Sequence, residues 1–231
     1  MARTLNEEKH TERRNEILDT AMKLVYTKGY EQMTIQDILD DLHISKGAFY
    51  HYFDSKAEVL EAMVERMIAE QVIPLLSPIV DDPNLTAIEK FHHFYEAASR
   101  WKISQKTFML ELLQVWMGDE NAIVRQKLMA SSIRSVAPLL TKIIYQGIGE
   151  GVFSSPYPDQ MSNVIIYIME GLSEKLSELL ISAMKRQLDG DVDKEINTYI
   201  GAMNDAVERV LGAQKDSLKL IDPQLMKVWF E

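Results

Sequence analysis

The sequence predicts an all-α protein: an N-terminal three-helix helix-turn-helix domain followed by a larger helical domain. Two observations carry this. Apolar residues recur at three- and four-residue spacing in almost every segment between Gly, Pro and Asp/Asn breaks, and nowhere does the two-residue alternation of a strand persist. Residues able to cap a helix, Thr34, Ser45, Ser55, Thr86 and Asp222, stand in front of such segments, each able to accept a hydrogen bond from a first-turn backbone N–H. No internal repeat is visible.

Composition narrows the function classes. At 231 residues, 46% apolar and 26% charged, the chain can bury a substantial core and is not a disordered tail. No run approaches the roughly 20 apolar residues needed to span a bilayer, and the polar N-terminus lacks an apolar signal-peptide core, so a cytoplasmic location without membrane partners is expected. Absence of cysteine excludes disulfides and thiolate chemistry. The net charge of -10 opposes nucleic acid at first sight, but Arg3, Lys9, Arg13, Arg14, Lys46 and Lys56 gather toward the N-terminus. Weak non-specific and strongly sequence-dependent DNA binding is the expectation.

In chain order, residues 1–8 read as a polar arm. From about Lys9 to Lys28, Ile17, Leu18, Ala21, Leu24 and Val25 form a helical face that Gly29 ends. Tyr30 and Met33 close that core. Thr34 caps a short helix with Asp37 in its first turn and the stripe Ile35, Ile38, Leu39, Leu42. Ser45 caps a second, with Phe49, Tyr52 and Phe53 available for packing. Gly47 and Ala48 let backbone approach a groove, while Lys46, Tyr50 and His51 offer donors to phosphates or base edges. Ser55 and Glu58 form a capping box for a third helix. Lys56 in its first turn opposes the helix dipole, which a bound phosphate would explain.

Ser45-Lys46-Gly47-Ala48-Phe49-Tyr50-His51-Tyr52-Phe53, then Ser55-Lys56 and Leu60, resembles the DNA-binding signature of TetR/AcrR-type bacterial transcriptional regulators. The resemblance extends through the first helix to Gly29-Tyr30. It implies that Thr34, Ser45, Lys46, Gly47, Ala48, Tyr50, His51 and Lys56 touch operator DNA. It further implies a homodimeric, effector-responsive regulator, with repression the expected sign. The chain departs from the family at Leu42-His43, where Ala-Gly is usual; His tolerates positive φ, so the turn is expected to survive with some strain.

The helix from Ser55 should run to about Val72, where Pro74 and Pro78 interrupt it ahead of the turn-prone Asp81-Asp82-Pro83-Asn84. Thr86 and Glu89 form another capping box. Further helices are expected over about 104–117, 120–147, 158–188 and 193–212, punctuated by Gly118, Gly147 to Gly151, Pro156 with Pro158, and Gly190. Asp222-Pro223 starts a last short helix whose apolar side, within 215–231, must pack on the body or on a partner. The division expected is 1–53 for DNA binding and 54–231 for effector binding and dimerisation.

Two sets of residues carry the second domain's expected work. Ile165, Met169, Leu172, Leu176 and Leu180 on one helix, with Ile196, Tyr199, Ile200, Met203, Val207 and Val210 on the next, form wide stripes. An antiparallel pair can bury part of these at home and offer the rest to a second copy as a four-helix bundle; purely intramolecular core is the competing reading. Dimerisation through such a pair is what the resemblance favours. Trp101, Phe108, Met109, Leu112, Leu113, Trp116, Met117, Tyr145, Phe153 and Tyr167 combine aromatic and Met side chains able to line an adaptable apolar pocket. In the resembled family this region encloses the small-molecule site, so a largely hydrophobic effector is expected.

Other classes fit the sequence less well. Glu89-x-x-His92 is half of a di-iron carboxylate motif, but it stands alone. Glycine-rich phosphate loops, nucleophile elbows and zinc motifs are missing from the sequence. A helical metal-binding protein or enzyme, and a protein-interaction bundle, remain the alternatives; no catalytic residue, metal or cofactor is assigned.

Overall fold

A computed structural model of the protein describes residues 2–117, 122–184 and 191–230, with side chains described from residue 8 onward except 114–121, 123, 124, 128 and 183–190. The side chains of Trp116 and Met117, the breaks at Gly118 and Gly190, and the end of the helix expected to reach 188 lie outside the described residues. Among the described residues there is no strand. The helices are α1 (Ala2–Lys28), α2 (Ile35–Leu42), α3 (Lys46–Tyr50), α4 (Lys56–Met67), a π turn (Ile68–Val72), α5 (Ile73–Asp81), α6 (Ala87–Ser104), α7 (Lys106–Met117), α8 (Ala122–Gly149), α9 (Pro158–Met184), α10 (Val192–Leu211) and α11 (Pro223–Lys227).

Contacts divide the chain into two compact units. One comprises Met1–Met67 with Thr107–Ser131, the other Ile68–Lys106 with Ser132–Glu231. The first unit thus keeps α4, beyond residue 53, and takes in α7 and the start of α8.

In the first unit α1 packs on α2 and α4. Ile17, Leu18, Ala21 and Val25 of α1 are buried, as are Ile38, Phe49, Phe53, Val59, Leu60 and Met63. Each of these side chains larger than Ala21 contributes about 1.5–3 kcal/mol by leaving water. Arg66 of α4 donates to the Asn15 carbonyl and, at 2.6 Å, to the Asp19 carboxylate, tying α4 to α1. The arm expected over residues 1–8 is instead helical from Ala2, because nothing in Ala-Arg-Thr-Leu-Asn-Glu-Glu-Lys breaks a helix.

The second unit corrects the proline reading. The helix from Lys56 gives way to the π turn at Ile68, and α5 then runs through both prolines. Pro74 lies in the first turn of α5, where proline is tolerated, and Pro78 lies inside the helix, where it removes one N–H donor to the Pro74 carbonyl without ending the helix. Gly147 is required by packing: a Cβ there would lie 2.0 Å from the Phe153 ring. That ring is buried edge-on against Phe91 at 5.5 Å.

The C-terminal segment packs on the chain's own body. Buried Glu208 of α10 accepts the N–H groups of Asp216 and Leu218 at 3.0 and 2.9 Å. His92 Nε2 accepts the Lys219 N–H, and Lys106 donates to the Val228 carbonyl at 2.7 Å. Leu218, Leu220, Ile221 and Met226 are buried by these attachments. No helix among the described residues is long and apolar enough to cross a membrane.

Candidate DNA interface

The recognition element is built by three local devices. Thr34 accepts the Asp37 N–H at 3.1 Å while Asp37 accepts the Thr34 N–H and hydroxyl at 2.7 Å, a reciprocal capping box that starts α2. The Lys28 ammonium 2.7 Å from Asp37, with the Thr34 hydrogen bonds, holds that carboxyl well down, at about 2. His43 ends α2 in the left-handed region, φ 52° and ψ 44°, and both its N–H and that of Ile44 reach the Leu39 carbonyl. Ser45 then accepts the Ala48 N–H at 3.2 Å and opens α3.

This turn divides α3 by burial. Phe49 and Phe53 point into the core at 0% and 1% exposure, and Ala48 is half-buried. Thr34, Ser45, Lys46, Gly47, Tyr50 and His51 are all exposed. Lys46 reaches over the Tyr50 ring at 5.8 Å and has no acidic partner among the described residues. A Cβ on Gly47 would meet nothing closer than the Ser45 Oγ at 3.9 Å.

Lys56 is engaged within the chain. Its ammonium lies 4.1 Å from the Tyr30 ring centroid and donates to the Glu31 carbonyl at 3.2 Å. Burial lowers its pKa, with Glu31 opposing the shift, and burial raises that of the Tyr30 hydroxyl to about 12. The cation at the first turn of α4 therefore has partners within the chain. Other cations nearby are also engaged: Arg13 with Glu16, Lys23 with Asp41, and Arg14 over the Phe53 ring at 5.0 Å.

The residues expected to line an effector pocket fall in both units. Phe108 and Leu113 are buried in the first unit, Phe108 beside Tyr26 at 5.8 Å, with Met109 and Leu112 half-buried. In the second unit Phe153 fills the notch at Gly147, and Trp101 donates to the Gln71 side chain at 3.2 Å. Tyr145 and Tyr167 are 49% and 61% exposed, and Tyr145 donates to Asp159. A groove of about 440 Å³ between α8 and α9 is lined by Ile133, Arg134, Ala137, Pro138, Thr141, Asp159, Ser162 and Asn163. The sequence reading missed Lys102, which continues the Phe91–Tyr95–Ala98 stripe of α6 at helical spacing. Its side chain is exposed.

Of the expected dimer residues, Ile165, Leu172, Leu180, Ile196, Ile200, Met203 and Val207 are buried within the second unit, and Met169, Leu176 and Val210 are half-buried. Tyr199 stays exposed, with Lys175 over its ring at 5.6 Å. The outward faces hold Val164, Tyr167 and Gly171 on α9 and Gly201 and Ala202 on α10. The Glu89-x-x-His92 pair is structural: Glu89 closes the Thr86 capping box, whose hydrogen bonds lower its pKa, and His92 accepts from Lys219.

A short capped helix set on another by a left-handed turn, its outer face polar and its inner face aromatic, defines a helix-turn-helix protein. Residues 17–63 match the model of bacterial regulatory proteins of the tetR family, and residues 113–178 match a tetracyclin repressor-like C-terminal domain. The chain belongs to the TetR family of bacterial transcriptional regulators. The transcriptional repressor NemR of Escherichia coli is 40% identical over 63 residues, 26% of this chain and 32% of NemR. Matched stretches span 16 to 32% of the length of such curated relatives. RolR, solved with resorcinol, shares the fold with a TM-score of 0.61 at 17% identity, over 96% of this chain and 95% of its own. Thermus thermophilus FadR, a repressor solved with lauroyl-CoA, gives 0.55 at 17% identity, over 82% and 92%.

Proposed function

We propose that this chain is a ligand-responsive repressor that acts in the cytoplasm, binding a pseudopalindromic operator as a homodimer and released by a small, largely hydrophobic effector. Thr34, Ser45, Lys46, Gly47, Ala48, Tyr50, His51 and Lys56 form the DNA face. Two copies paired through the outward faces of α9 and α10 would set their α3 helices about 34–36 Å apart, matching successive major grooves. The effector acts by preferring another spacing; a coupling of about 1–3 kcal/mol is enough for a useful switch. Binding, rather than catalysis, is the activity.

The observation that carries this reading is Gly47. Nothing among the described residues requires that position to lack a side chain, since a Cβ there has free space. Glycine also costs a helix up to about 1 kcal/mol relative to better formers. Close approach of an external surface supplies the missing reason. NemR and FadR, both named repressors, and the ligands bound to RolR and FadR support the sign and the effector class.

Gly47→Gln tests it. Thermal stability should hold or rise while selective operator binding is lost. A variant that binds operator as well as the wild type would refute the placement of α3 against DNA.

A further inference from the structure

The helical start of the chain has a consequence for the DNA face. Because α1 begins at Ala2, His10 stands two turns before Ile17, the first fully buried residue of that helix. The buried stripe Ile17/Leu18, Ala21, Val25 extends backward at helical spacing through Arg14 to His10. Arg14 packs on Phe53 of the core. One turn earlier, the His10 ring meets Tyr52 at 4.6 Å and His51 at 5.5 Å between centroids. His51 and Tyr52 also meet edge to face at 5.0 Å.

His51 caps the C-terminal end of α3 and is exposed. Its ring accepts or donates no hydrogen bond among the described residues, so the two ring contacts are what define its orientation. An exposed side chain that must be fixed on binding costs affinity, and fixing it beforehand recovers that cost.

We infer that His10 is a positioning residue for DNA recognition: from α1, its ring, packed on Tyr52, holds His51 in the arrangement that meets the operator. It acts through those two rings and does not itself touch DNA. The inference rests on the proposed DNA reading and assigns to α1 a part in it that the helix-turn-helix signature does not contain. Two aromatic contacts of this kind correspond to roughly a three- to tenfold change in affinity.

The test is fluorescence anisotropy with DNA from upstream of the protein's own gene, across a salt series, using the full chain, His10→Ala and His10→Phe. His10→Ala should weaken selective binding three- to tenfold. His10→Phe, which keeps the ring, should bind within twofold of wild type. Both should keep the wild-type slope of log affinity on log salt, because no phosphate contact is removed. Full affinity in His10→Ala would overturn this inference alone. Equal weakness in both variants, with a slope smaller by about 0.9, would overturn it in favour of a direct phosphate contact. A wild-type chain with no selectivity for any DNA would overturn the DNA reading and this inference together.

Discussion

His43 offers a substitution series whose outcome can be worked from backbone geometry alone. It sits at φ 52°, its side chain is exposed, and no hydrogen bond or ring contact to that side chain exists among the described residues. A replacement therefore reads the turn and not a lost packing contact. An L-residue in the left-handed region costs about 1–2 kcal/mol. Glycine removes that strain but returns about 0.5–1 kcal/mol through the greater freedom of the unfolded chain. His43→Gly should thus leave stability within about 1 kcal/mol. His43→Val places a β-branched side chain where it is least tolerated and should destabilise by about 2 kcal/mol. For a chain of this size, 1 kcal/mol moves the midpoint by about 2–4 °C, so Val should melt about 4–8 °C below wild type and Gly within about 4 °C of it. Operator affinity should follow the same order, since the turn sets how α3 is presented. Thermal unfolding and anisotropy on the three proteins decide it. Equal midpoints for Gly and Val would refute the claim that this turn holds a strained left-handed residue.

Three further outcomes are expected. Gly147→Ala should lower stability by about 1–3 kcal/mol in thermal unfolding, because the new Cβ displaces the Phe153 ring; Phe153→Leu in the same chain should recover part of the loss. Glu208→Ala leaves two N–H groups of the C-terminal segment without their acceptor, at about 1–3 kcal/mol each, and should expose Lys215 and Lys219 to limited trypsin digestion; resistance equal to wild type would refute the anchoring role. Asp37, held at about 2 chiefly by Lys28 and then by Thr34, has a folded pKa below its ordinary 3.8. Its contribution is therefore complete above about 3.8 and lost as the pH falls through about 2. In Lys28→Ala its carboxyl should titrate higher by NMR; an unchanged midpoint would contradict the assignment.

What the sequence disclosed was local. The caps at Thr34, Ser45, Ser55, Thr86 and Asp222 work within three residues of themselves, and all five accept a first-turn N–H in the structure. The left-handed turn at His43 was legible for the same reason. What depended on distant partners was not. Lys56 looked like an unexplained cation because Tyr30 and Glu31 lie a helix-turn-helix away. Glu208 and His92 find their hydrogen-bond donors in the C-terminal segment, which no local pattern connects to them. Pro74 and Pro78 signalled a break, but the first falls in the opening turn of α5 and the helix continues past the second to Asp81. The stripes of α9 and α10 were visible; the share buried at home was not, because periodicity shows that a face is covered without showing by what.

The central claim is that the exposed face of α3 reads DNA. The most direct test is anisotropy of the full chain against DNA from upstream of its own gene, with scrambled competitor, over a range of salt. Selective binding in the nanomolar range or tighter, with log affinity falling by about 0.9 per phosphate contact for each log unit of salt, is the predicted result. No binding to any DNA at low salt would contradict it.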